Sequence, residues 1–130
     1  MSRLLRIIGL VLLVLLVTSC GQEAVTETHV DLGEFYVSVE GEPLEAGVVT
    51  LTVENYGEYP HTLVISSVTG AVLAATEIIP AGDEVQLQLN LTPGDYSFTC
   101  RIVNGDGAGG VIDHYQEGMS APVAVVPPAA

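Results

Sequence analysis

The segment VQLQLNLTPGDYSFTC, residues 85–100, decides the fold. Apolar and polar residues alternate from Val85 to Leu91, and the alternation resumes from Tyr96 to Cys100 after a Pro-Gly-Asp turn signal. A period of two is typical of strands that bury one face against a core. The segment therefore predicts two strands joined by a turn, with the Cys100 side chain on the inward face.

The same alternation occurs at Phe35–Val39 and at Val49–Val53, and turn signals follow at residues 41–43 and 80–83. Residues 71–79 fit either a strand or a short helix, and no segment has the pattern of a long amphipathic helix. These patterns predict an all-β chain, folded as an antiparallel Greek-key β-sandwich.

The N-terminus has the pattern of an export signal. Arg3 and Arg6 precede an apolar run over residues 7–17, which is shorter than the ~20 residues that a spanning helix needs. Residues 17–20, VTSC, resemble the bacterial lipobox, in which the cysteine is acylated; the alternative is a plain signal peptide that ends near a cysteine. We therefore predict a lipoprotein signal peptide over 1–19, a lipidated tether over 20–28 starting at Cys20, and one domain over 29–130.

This division predicts an exported protein, anchored by lipid to the cell membrane and facing the periplasm or the cell exterior. It places His29 just before the first predicted strand, where a solvated side chain is expected. It also removes Cys20 as a disulfide partner, so that Cys100 is a single thiol in a compartment where disulfides form.

Charge excludes one class of partner. Beyond residue 19 the chain has one basic residue, Arg101, and sixteen acidic residues, which gives a net charge of −15 with histidine neutral. Nucleic-acid binding needs clustered Lys and Arg, so no nucleic-acid partner is expected. The acidic surface can steer a basic partner protein, or it can serve solubility alone.

Four side chains form a candidate metal site. His61 shares its parity with Leu63 and faces inward like Cys100, and His114 and Met119 follow Cys100 along the chain. Two imidazoles, a thiolate and a thioether suit copper in electron transfer, because soft sulfur favours Cu(I) and imidazole serves both oxidation states.

The chain resembles the cupredoxins, close to the plastocyanin and pseudoazurin group, from about residue 30 to residue 126. The motifs that carry the resemblance are Asn55-x-Gly57 followed by Pro60-His61, the strand PGDYSFTC ending at Cys100, and His114-x4-Met119 with Gly118 before the methionine.

The resemblance implies one copper ion, with His61, Cys100 and His114 as equatorial ligands and Met119 as the axial ligand. It further implies that Asn55 braces the ligand loop through backbone hydrogen bonds. The expected function is a type 1 (blue) copper protein that carries single electrons to a redox partner.

The chain departs from the family pattern between Cys100 and His114, where residues 101–113 intervene. A hairpin-like excursion, out along 101–103 and back along 111–113, would return His114 to the site, whereas a floppy loop would leave it far away.

Two alternatives to the electron carrier stay open: a copper-binding or copper-trafficking lipoprotein, and a metal-free structural sandwich. An enzyme is not expected, because three histidines cannot build a multinuclear copper centre and no Ser-His-Asp order is present.

Overall fold

A computed structural model describes residues 26–129. The predicted signal peptide and Cys20 lie outside the described residues. Within them the chain forms eleven strands: β1 Glu27–Gly33, β2 Tyr36–Val39, β3 Leu44–Glu45, β4 Gly47–Asn55, β5 Val64–Ser67, β6 Val72–Ala75, β7 Glu84–Leu91, β8 Gly94–Thr99, β9 Val103–Gly105, β10 Val111–Asp113 and β11 Ser120–Val126. Over the same residues, no helix is long and apolar enough to cross a membrane.

The strands form two sheets that enclose one core, and the predicted all-β sandwich is confirmed. One sheet has the order β2-β1-β4-β7 and the other has the order β3-β11-β8-β5-β6, while β9 and β10 form a separate ribbon. Most neighbouring strands are antiparallel, as expected, but β1 pairs with β4 and β3 pairs with β11 in parallel. Parallel pairing requires a crossover connection, and here the chain visits the opposite sheet at β3 between β1 and β4.

The core consists of the inward residues of the predicted alternating segments. Val49, Leu51 and Val53 of β4 are fully buried, and from the opposite sheet Ile65 and Phe98 are also fully buried. The alternate residues of β2 and β7 are partly buried against the same core. The period-two reading of these segments is thus confirmed.

Two segments differ from the sequence-based expectation. β1 was not predicted, and His29 lies inside it rather than before the first strand, although its side chain is exposed as expected. In β1 the buried residues Thr28, Val30 and Leu32 alternate with more exposed polar residues. The polar residues make the segment resemble a tether, but the alternation of buried and exposed positions is that of a strand. Residues 71–79 contain the largely exposed strand β6, which resolves that ambiguous segment as strand.

The segment between Cys100 and His114 is a β-ribbon. β9 and β10 pair antiparallel, with Val111 opposite Gly105 and Asp113 opposite Val103, which confirms the hairpin-like excursion. At its tip, the Asp106 carboxylate accepts the backbone N–H groups of Ala108 and Gly110 at 2.7 and 2.8 Å. The insertion therefore leaves the sandwich and returns to it as an ordered element.

Candidate metal centre

The first candidate ligand, His61, lies just before β5 and forms an isolated β-bridge with Ile79. Its N–H and carbonyl pair with Ile79 at 3.1 and 2.8 Å, and its side chain is fully buried. Asn55 fixes the preceding turn: its amide nitrogen donates to the carbonyls of Tyr59 and Ile79, and its amide oxygen accepts the N–H of Gly57. These are the backbone hydrogen bonds expected of Asn55.

The other three candidate residues are linked by a chain of backbone hydrogen bonds at the end of the β8–β11 pair. The Cys100 N–H donates to the Met119 carbonyl at 3.2 Å, the Met119 N–H donates to the His114 carbonyl at 3.0 Å, and the His114 N–H donates to the Ile102 carbonyl at 3.0 Å. Gly118 makes the turn before Met119 with a φ of 126°, a backbone conformation that residues other than glycine rarely adopt. The ligand loop thus closes through its own backbone.

Three donor atoms converge in the interior. The Nδ1 atoms of His61 and His114 are 3.1 Å apart, and they lie 3.8 and 3.6 Å from the Cys100 Sγ. Bonds of about 2.0 to 2.3 Å to one ion place its ligands roughly 3 to 4 Å apart. The separations in this cluster therefore fit three ligands of a single ion, and the three residues are the group within the described part of the chain that can hold a metal.

The outer nitrogens of both imidazoles are held by side-chain oxygens. His61 Nε2 lies 3.0 Å from the Glu34 carboxylate, and His114 Nε2 lies 2.5 Å from the Asn104 amide oxygen. Because each oxygen accepts a hydrogen bond, both Nε2 atoms carry the proton and both Nδ1 lone pairs face the cluster. Two lone pairs and a thiol facing one another form an arrangement that a cation would stabilise.

The surroundings favour the uncharged imidazole that a metal requires. Burial, with the nearby His61 as a second cause, lowers the pKa of His114 below its ordinary value. The Phe35 ring packs edge-on against His114 at 5.2 Å between centroids, and the Tyr59 ring lies 6.2 Å away. The Cys100 sulfur also accepts the backbone N–H of Thr62 at 3.5 Å, a contact that fixes the position of the sulfur.

The structure brings His61, Cys100 and His114 together despite the insertion. Met119 is fully buried and its backbone lies between those of Cys100 and His114. The role of each of these residues as a ligand stays a prediction. Glu34 and Asn104 were not predicted: Glu34 lies far from His61 in the chain, and Asn104 was assigned only to a glycine-rich turn.

Fold and site together define a β-sandwich protein with a buried His-Cys-His cluster. The family model for the cupredoxin-like domain matches residues 6–112, and the chain belongs to this family. The matched range contains His61 and Cys100 and ends before His114 and Met119. No curated protein sequence shows significant similarity to the chain.

Solved structures share the fold. Dithionite-reduced auracyanin from the photosynthetic bacterium Roseiflexus castenholzii is 20% identical with a TM-score of 0.61, over 80% of this chain and 99% of auracyanin. The copper protein rusticyanin is 17% identical with a TM-score of 0.56, over 78% of each chain. A multicopper oxidase is 18% identical with a TM-score of 0.52, and the match covers 78% of this chain and 42% of the oxidase. At these identities the likeness shows the fold.

Proposed function

We propose that this protein is a type 1 copper protein that acts as a membrane-anchored one-electron carrier. The observation that carries the proposal is the convergence of the His61 and His114 Nδ1 atoms with the Cys100 Sγ in a buried cluster. Imidazole together with thiolate is the donor set that suits copper in electron transfer. A bound copper ion would supply a centre that accepts and returns one electron.

The chain's own residues would fix this centre. His61, Cys100 and His114 would hold the ion, and Met119 is the axial donor that the family resemblance implies. The two imidazoles cannot rotate freely, since each is bonded at its outer nitrogen, and the sulfur is fixed by the Thr62 N–H. A site whose ligands do not move limits the reorganisation that accompanies each electron transfer.

Burial favours a carrier over a copper-trafficking protein. His61, Cys100 and His114 are all fully buried, so a donor group of another protein has no accessible ligand to displace. Electron transfer needs no such displacement and no substrate in contact with the ion. For the same reason we propose an electron carrier rather than an enzyme.

The acidic surface supports a partner with a basic docking face. Tyr59 is 42% exposed and lies beside His114. Two acidic residues are next to it: Glu58 precedes it in the chain, and Glu34 accepts the backbone N–H groups of residues 58 and 59. Opposite charges steer encounter and make association sensitive to salt. We place the anchor at Cys20, so the domain would work at the membrane on the outer side.

A copper titration of the mature protein tests the proposal. With Cu(II) the wild type should develop an intense visible band from thiolate-to-copper charge transfer, and it should be reduced and reoxidised without losing the ion. Cys100→Ser should remove the band while the far-UV circular dichroism stays unchanged. Ser97→Ala, on the opposite face of β8, is the matched control and should keep the band. An unchanged spectrum in Cys100→Ser would refute the site.

A further inference from the structure

The Glu34 carboxylate, at the connection between β1 and β2, is held by several hydrogen bonds. Its Oε1 accepts the N–H of Tyr59 at 2.8 Å and lies 3.0 Å from His61 Nε2, while its Oε2 accepts the N–H of Glu58 at 3.1 Å. Its side chain is 26% exposed, whereas His61 is fully buried. Three N–H groups thus converge on one carboxylate, so this contact differs from a mobile surface ion pair.

The turn before His61 is shaped around this carboxylate. A Cβ atom at Gly57 would fall on the carboxylate oxygens of Glu34, so only glycine leaves this space free. The Asn55 side-chain amide accepts the N–H of Gly57 and donates to the carbonyl of Tyr59, so it fixes both ends of this turn. The Asn55-x-Gly57 motif therefore serves to seat Glu34 as well as to shape the turn.

The contacts of Glu34 are those of a charged carboxylate. Its Oε1 faces the N–H of Tyr59 and the His61 Nε2, and its Oε2 faces the N–H of Glu58, so both oxygens accept hydrogen bonds. An ionised carboxylate accepts at both oxygens, whereas a protonated carboxyl group would turn one of them into a donor. These donors stabilise a negative charge next to the outer nitrogen of a candidate copper ligand.

We infer that Glu34 is a positioning residue: it fixes the His61 imidazole with Nδ1 toward the metal and, through its charge, stabilises the oxidised ion more than the reduced ion. The inference rests on the proposed function. Reduction would add one electron from the redox partner and break no bond, and the proton would stay on His61 Nε2 throughout. Glu34 would thereby hold the reduction potential below the value that the same ligands would give alone.

The expected effect of Glu34 on copper affinity can be compared with that of other carboxylates that orient a ligating histidine. Loss of a carboxylate that orients a ligating histidine typically weakens metal binding by about 10- to 100-fold. The loss should fall mainly on Cu(II), which has the larger charge. A tenfold change in the ratio of the two affinities corresponds to about 59 mV in a one-electron couple.

Glu34→Gln is the decisive variant, because glutamine keeps the shape and one acceptor oxygen but removes the charge. Its Cu(II) affinity should fall about tenfold relative to Cu(I), which would raise the potential by about 59 mV in spectroelectrochemical titration. Glu58→Gln removes an adjacent exposed charge whose side chain does not bond His61, and it is the matched control with a smaller shift. Equal shifts in the two variants would overturn the inference.

A measurement on the metal-free protein separates this inference from the proposed function. Nitrogen chemical shifts of His61 should report the Nε2-H tautomer in the wild type and in Glu34→Gln, and a mixture of tautomers in Glu34→Ala. Gly57→Ala should push the carboxylate away and reproduce the mixture with the charge retained. Failure of the wild type to bind copper would refute the proposed function and the effect of Glu34 on the potential, but not the orientation of His61 by Glu34. An unchanged tautomer in Glu34→Ala would refute that positioning role.

Discussion

Replacing Asn55 by alanine should destabilise the metal-free protein, because this buried side chain makes three hydrogen bonds to the backbone. They join its amide nitrogen to the Tyr59 and Ile79 carbonyls at 2.8 and 2.9 Å and its oxygen to the Gly57 N–H at 2.9 Å. Each such bond contributes about 0.5 to 1.5 kcal/mol net. The Ile79 carbonyl keeps a second donor, the His61 N–H, so its loss is the smallest of the three.

We therefore expect the free energy of unfolding of Asn55→Ala to fall by about 2 to 3 kcal/mol. In thermal unfolding this would lower the Tm by about 10 °C for a domain of this size. Urea titration followed by circular dichroism measures the change, and the slope with denaturant should stay constant. Copper affinity should fall too, because the turn that presents His61 loses its brace.

The matched control is Asn90→Ala. Asn90 lies in β7 with its side chain exposed, so its replacement should change the free energy of unfolding by no more than about 0.5 kcal/mol. If Asn55→Ala unfolds at the same urea concentration as Asn90→Ala, the three hydrogen bonds do not stabilise the turn and the reasoning is wrong.

Three further predictions follow from the site, the ribbon and the anchor. His114→Gly should lose or alter the intense visible band, and added imidazole should partly restore it; retention of the wild-type spectrum would show that another donor completes the site. Replacing residues 106–110 by Asn-Gly should leave copper binding unchanged within about twofold by competition titration, because Gly105 and Val111 already pair and suit a two-residue turn; loss of binding would mean that the tip orders the site. Cys20→Ser should move the protein from the detergent phase to the aqueous phase or leave it unprocessed, since each buried acyl CH₂ contributes about 0.8 kcal/mol; unchanged partitioning would exclude this anchor.

The sequence was sufficient for the strands whose inward and outward residues differ clearly. In β4 and β7 the apolar residues occupy alternate positions, so parity alone identified the buried face. The same alternation predicted inward side chains for His61 and Cys100, and both are fully buried, although His61 lies just before β5 and Cys100 just after β8. A local period carries this information because successive side chains of a strand point to opposite faces.

Contacts between distant segments had no local signal. Glu34 and His61 meet because β1 pairs with β4 in parallel, which brings the end of β1 to the turn that follows β4. No alternation or turn motif near Glu34 encodes that register. Asn104 was hidden for a different reason: in a segment rich in glycine, asparagine is explained by turn formation, and its bond to His114 depends on how β9 pairs with β10.

The insertion leaves the ligand cluster intact because a backbone hydrogen bond closes the ligand loop at the base of the ribbon. The His114 N–H bonds the Ile102 carbonyl, so the part of the chain that extends away begins after Ile102 and ends before His114. Once that bond has formed, the length of the ribbon adds little cost, since doubling a loop adds only about 0.6 kcal/mol of closure free energy. The ribbon also contributes to the site, because Asn104 holds the outer nitrogen of a fully buried His114. An excursion of this kind can therefore vary at its tip, whereas its base is constrained by the two contacts that it makes with the ligand.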